Sequence, residues 1–166
     1  MIEAIAKLLL KEDDFLVTTH VDPDGDGLGS QSAMVLALKK LGKKVISINH
    51  SALPRRYRFL PYASLYQTGD NIPKHRVCLT VDVGDFQRIR ENARREEFGY
   101  LVNIDHHISN TLFGDLNWVE PQACATGEMV YRLLRAMPVT LDREILNSLY
   151  TAILADTGRF QYANTT

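Results

Sequence analysis

"LVTTHVDPDGDGLGS", residues 16–30, runs from apolar residues into a histidine and three aspartates crowded within seven positions, His20 to Asp26. It reads as the tip of a strand, a tight acidic turn and a helix start. Carboxylates this close repel one another unless something positive sits between them. Glycines 25, 27 and 29 read as the residues that let the backbone turn and bring the helix start close to whatever binds there.

Outward from this stretch the chain alternates. Residues 15–19 read as a short strand. Residues 30–41 read as a helix with Ala33, Leu36, Ala37 and Leu41 on one face and Gly42 ending it. Further strands are expected over 44–48, 77–81 and 100–104. A polar helix is expected over 87–97, and two long helices over 125–137 and 142–156. The opening "MIEAIAKLLLKEDD" places Ile2, Ile5, Leu8 and Leu9 at helical spacing, with Glu3 and Lys7 interrupting the apolar run, which suits an amphipathic helix rather than a secretory signal. Continuous apolar strands separated by helices predict an α/β fold, a mostly parallel sheet covered by helices on both faces.

Bulk properties exclude several classes. At 166 residues and 45% apolar composition the chain suits one domain with a proper core. Nineteen basic residues against twenty acidic ones leave none of the basic footprint that duplex nucleic acid requires. No segment approaches the roughly 20 apolar residues of a membrane span. Cys78 and Cys124 sit in apolar contexts without pairing spacing, so two buried, unpaired thiols in a cytoplasmic protein are expected.

In an open α/β sheet, ligands bind beyond the carboxyl ends of the strands. His20, Asp24 and Asp26 follow the first strand, Asp82 ends "CLTV", and Asp105, His106 and His107 end "LVNI". Asp156 closes the last helix in "AILADTG". Alone, each aspartate could be a helix cap or a turn residue. Together, four carboxylates (Asp24, Asp26, Asp82, Asp156) and two imidazoles (His20, His106) arrive at one predicted edge. A calcium loop fails, because the twelfth position counted from Asp22 is Ala33 and not glutamate. Zinc-finger chemistry fails for want of paired cysteines. Mixed carboxylate and imidazole donors suit manganese or a similar divalent ion, with magnesium, iron, cobalt or zinc as substitutes. Four carboxylates match the charge of two such ions, with Asp82 best placed to be shared.

The motifs "HVDPDGDGLGS", "VDVGD", "IDHHISN" and "ADTGRF" resemble, in order, the four signatures of the DHH phosphoesterase family. The resemblance runs from Phe15 to the end and implies a Rossmann-like three-layer domain. It implies that His20, Asp24 and Asp82 hold one metal, and that Asp26, Asp82, His106 and Asp156 hold the other. His107 would face the substrate phosphate and act with Asp82 in catalysis, and Asp105 would orient a neighbour. "NHSALPRRYRFLP" and the stretch from Ser109 to Leu134 are similar to the branch that hydrolyses short oligoribonucleotides and 3′-phosphoadenosine 5′-phosphate. A cyclic dinucleotide phosphodiesterase and a non-catalytic nucleotide-binding module are the alternatives. The partners so implied are short single-stranded RNA or DNA oligonucleotides or small nucleotides, with no duplex and no membrane, and a homodimer is the candidate assembly. The resemblance also implies that residues 1–166 are the catalytic domain of a longer protein whose smaller substrate domain is absent, in keeping with the uncapped, polar ending.

Other residues are less eloquent. Arg159 is a candidate phosphate contact beside the last carboxylate. Arg55, Arg56, Tyr57 and Arg58 read first as a solvated loop, His50 and His75 as surface histidines, and Trp118 as either core packing or a stacking platform.

Overall fold

The computed structural model describes residues 1–165. Six strands, β1 (Asp14–Thr18), β2 (Lys44–Asn49), β3 (Tyr66–Thr68), β4 (Val77–Val81), β5 (Tyr100–Asp105) and β6 (Leu116–Val119), pair in the order β3-β2-β1-β4-β5-β6. Every pairing is parallel. The helices are α1 (Ile2–Lys11), α2 (Gly25–Lys40), α3 (Thr126–Arg135) and α4 (Arg143–Asp156). After β1 the chain builds outward through β2 and β3, then returns to place β4 on the other side of β1. The crevice at this reversal, above the carboxyl ends of β1 and β4, is where sheets of this kind bind ligands.

The central strands are buried on both faces, which is why their sequences are continuously apolar. Phe15, Val17, Val77, Leu79, Val81, Val102 and Ile104 face one core, shared with all four α-helices. Leu16, Cys78 and Leu101 face the other, with Val83, Ile89, Ala93 and Phe98. The second face carries no α-helix among the described residues. Where a helix over 87–97 was expected, two 3-10 turns, Phe86–Arg88 and Arg95–Glu97, lie across the sheet. Asn92 takes a left-handed φ of 55° between them, incompatible with a continuous right-handed helix. Arg90 pairs with Glu97 and the Asp70 carbonyl, which pins the segment.

The edge strands β3 and β6, three and four residues long, were not anticipated. Helix α2 begins at Gly25, five residues earlier than expected, so the acidic turn is mostly a helix start. Its glycines do not serve a positive φ, which among glycines only Gly42 and Gly158 show. They permit close approach instead. A methyl group at Gly25 would strike Ala155, at Gly27 the Thr19 hydroxyl, and at Gly29 the backbone of Ser148 and Ala152. Helices α2 and α4 therefore touch nearly backbone to backbone, and Asp26 is drawn toward Asp156. Both cysteines are free and buried. No described helix is long and apolar enough to cross a membrane.

Candidate metal centre

Each candidate side chain is delivered by an element end. His20 follows β1, and its Nδ1 lies 2.7 Å from the Val21 carbonyl, which leaves Nε2 facing inward. Asp24 is the N-cap of α2, accepting from the backbone N–H groups of Asp26 and Gly27 at 2.9 and 3.1 Å. Asp82 leaves β4 in a left-handed conformation, φ 61°, that turns its carboxylate back over the sheet edge. His106 and His107 follow β5, and Asp156 is the last residue of α4.

The six side chains meet. His20 Nε2 lies 3.6 Å from Asp82 and 3.9 Å from Asp24. His106 Nε2 lies 3.5 Å from Asp156, 3.7 Å from Asp26 and 3.9 Å from Asp82. Among the described residues, three groups have donor atoms within 4.8 Å of one another: His20–Asp24–Asp82, Asp26–His106–Asp156, and Asp82–His106–His107. Asp82 and His106 each belong to two of them.

Electrostatics single out the same place. Burial raises the Asp26 carboxyl far above its usual range, and the nearby Asp82 carboxylate pushes it further. Burial also raises Asp156, opposed by His106 but reinforced by Asp82 and Asp24. Burial opposes charge on His20, yet the Asp24 and Asp82 carboxylates outweigh it and lift the imidazole to about 10. At Asp24 burial is likewise outweighed, by His20 and the helix N–H groups, and the carboxyl falls to about 2. Among the described residues no lysine or arginine forms an ion pair with any of the four carboxylates. Two carboxyls raised by burial and by neighbouring carboxylates, set among further carboxylates and imidazoles with no lysine or arginine paired to them, form a donor set suited to divalent ions.

Three uncharged residues at this centre, Thr126, Gly127 and Asn164, were not foreseen. Thr126, at the start of α3, donates its backbone N–H to Asp26 at 2.7 Å and its hydroxyl to Asp82 at 3.1 Å. Gly127 N–H adds 2.9 Å to Asp26, so the carboxylate caps α3 from 100 residues away. Asn164 donates to Asp156. The only sequence signal was "ATGE" opening a helix without a side-chain cap.

His107 lies 3.6 Å from Asp82 through Nδ1, but its nearest carboxylate is another. Its Nδ1 sits 2.7 Å from Asp105, a fully buried carboxylate also held by Asn110 at 2.6 Å. A carboxylate partner makes Nδ1 the proton donor and leaves Nε2 for other work. That hydrogen bond, opposed by burial, raises the His107 pKa.

Arg159 does not enter the cluster. It is exposed, with φ 61°, and lines a groove of about 500 Å³ with Tyr57, Phe59, Tyr150 and Tyr162. Arg55, Arg56 and Arg58 are exposed, with Arg56 stacked 5.0 Å over Tyr57. His50 is a surface residue, 2.7 Å from Asp70. His75 is not, being buried between the Pro73 carbonyl and the Gly99 N–H as a structural side chain. Trp118 is core, 5% exposed, and donates to Glu120.

A family model described as "DHH family, N-terminal domain" matches residues 14–153. The chain belongs to the DHH family. It is 37% identical over 156 residues to the bifunctional oligoribonuclease and PAP phosphatase NrnA of Thermus thermophilus, covering 93% of this chain and 47% of that protein. The NrnA of Bacillus subtilis is 27% identical over 159 residues, covering 93% of this chain and 49% of that protein. An exopolyphosphatase-related protein of Bacteroides fragilis superposes with a TM-score of 0.87 at 26% identity, over 99% of this chain and 52% of the other. The chain thus spans about half the length of the curated relatives it matches.

Proposed function

We propose that this DHH domain carries a two-ion phosphoesterase centre acting on short oligoribonucleotides and 3′-phosphoadenosine 5′-phosphate. The observation that carries the reading is the meeting of two donor triads, His20–Asp24–Asp82 and Asp26–His106–Asp156, with Asp82 between them. The names of the relatives supply the substrate class.

One ion would be held by His20, Asp24 and Asp82, the other by Asp26, Asp82, His106 and Asp156, with manganese the best match to the donors. When bound, such a pair lowers the pKa of water and neutralises charge developing at phosphorus. The protein's own residues do the rest. Asp82 and Asp26 are held by Thr126 and Gly127, so neither carboxylate has to reorganise. Asp105 fixes the His107 ring, whose Nε2 offers a proton to a phosphate oxygen or the leaving group. Val21, bound through its N–H to the Arg88 carbonyl at 2.7 Å, anchors the loop that carries His20.

The test is a side-by-side assay with manganese on a short RNA, 3′-phosphoadenosine 5′-phosphate and cyclic di-AMP. The first two are expected to be hydrolysed in preference to the third. Replacing Asp82 with alanine lowers kcat on the order of 10³-fold or more, because the charge stabilisation lost is several kcal/mol. Undiminished turnover in that variant, with manganese supplied, contradicts the reading.

A further inference from the structure

We propose that Asn164 is a positioning residue for the Asp156 carboxylate, and that it tunes one of the two ion sites while leaving the other alone. The inference rests on the two-ion reading above and adds to it a residue that lies outside every helix and strand.

Helix α4 stops at Asp156, and the next residues curl tightly. Gly158, Arg159 and Phe160 have φ of 55°, 61° and 65°, three consecutive left-handed residues of which two are not glycine. The buried Thr157 closes the loop. Its hydroxyl accepts from Phe160 N–H at 3.1 Å, and its carbonyl accepts from the N–H groups of Gln161 and Tyr162 at 3.0 Å. A backbone conformation this unfavourable persists only where the surroundings over-determine it, and such places cluster at functional sites.

The loop returns Asn164 to the place the helix left. Its Nδ2 lies 3.1 Å from Asp156 Oδ2, 3.2 Å from the Asp156 carbonyl and 2.9 Å from the Cys124 carbonyl. All three neighbours are acceptors, so the amide can only present its NH₂ group there. Two hydrogens serve three acceptors, and at least one is shared.

Each contact has a consequence for the ion site. Asp156 Oδ2 is the oxygen that faces His106 Nε2 at 3.5 Å, so the amide holds that oxygen in line with its partner ligand. The carboxylate also sits at a helix C-terminus, where unsatisfied carbonyls repel it, and a donor placed between carbonyl and carboxylate offsets that repulsion. Cys124 lies just ahead of α3, whose first N–H groups hold Asp26. Asn164 therefore links the carriers of Asp156 and Asp26, two carboxylates of one site. It has no hydrogen bond to His20, Asp24 or Asp82, which are anchored by the Val21 carbonyl, the α2 backbone and the Thr126 hydroxyl respectively. Loss of a group that orients a ligand commonly costs about 10–100-fold in metal affinity.

The experiment is a calorimetric manganese titration of metal-free protein, comparing wild type with Asn164→Leu, similar in size but without a donor, and with Asn164→Ala. Wild type is expected to bind two ions. Both variants are expected to weaken one site by about 10–100-fold and to leave the other within the scatter of replicates, with the metal-free far-UV spectrum unchanged. The two variants impose different volumes, so a packing defect in one does not hide the result in the other. Two sites of wild-type affinity in both variants, or equal weakening of both sites, overturns the proposal. Fewer than two ions on the wild type overturns the two-ion reading and the proposal with it, and the wild-type trace alone distinguishes that failure from the first.

Discussion

Two helix starts point at the same centre and are capped by opposite means. Helix α2 is self-sufficient: Asp24, the residue before it, accepts the N–H groups of Asp26 and Gly27. Helix α3 begins at an alanine that offers no side-chain cap, and its first N–H groups are taken by Asp26, 100 and 101 residues earlier in the chain. A local cap is worth about 1 kcal/mol and can be read from neighbouring residues. A borrowed cap ties two distant segments together and is invisible until the fold exists. The difference shows in the carboxyls themselves. The half-exposed Asp24 falls to about 2, whereas burial and Asp82 drive Asp26 upward. One carboxylate serves its own helix, and the other is fixed by a foreign helix in a position it would otherwise avoid.

Stability measurements on metal-free protein sharpen this contrast. Asp26→Ala has the larger expected effect. Its removal leaves two buried N–H groups, those of Thr126 and Gly127, without their partner at about 1–3 kcal/mol each. For a domain of this size that is a fall in melting temperature of about 2–4 °C per kcal/mol. Asp24→Ala, which removes the local cap and a half-exposed partner of His20, costs about 1 kcal/mol. Thermal unfolding followed by circular dichroism ranks the two. Equal losses, or a larger loss for Asp24→Ala, would break the distinction between local and borrowed caps.

The same division between local and distant causes explains what could be read from the sequence. The interior strands β1, β4 and β5 are largely buried on both faces and stood out as apolar runs, β4 with the boundaries expected for it, whereas β2 is buried only in its second half. Strands β3 and β6 lie at the sheet edges, are short, and mix polar residues with apolar ones, so no pattern announced them. The charged run over 87–97 has helical composition, but Asn92 breaks it with a φ that composition does not reveal. Glycines 25, 27 and 29 illustrate a true ambiguity: tight turns and close helix contacts both demand glycine, and only the position of α4 decides between them.

At the candidate centre, charged residues at strand ends were legible because parallel topology sends all strand ends to one edge. His20, Asp24 and Asp82 come together in one triad and Asp26, His106 and Asp156 in another, with Asp82 3.9 Å from His106. Thr126 and Asn164 were not legible. They are uncharged, and their importance comes from what they touch rather than from what they are. Arg159 was singled out by its nearness in sequence to Asp156, yet the left-handed turn after α4 carries it outward to the aromatic groove.

The central claim is that the acidic start of α2 is stable in company with Asp82, His106 and Asp156 because two cations share them. Anomalous difference density at the manganese edge, from crystals equilibrated with that metal, tests this most directly. Two peaks roughly 3.5–4 Å apart are expected, one beside His20 and Asp24, one beside Asp26, His106 and Asp156, with Asp82 reaching both. A single peak, or peaks out of reach of Asp82, would contradict that claim.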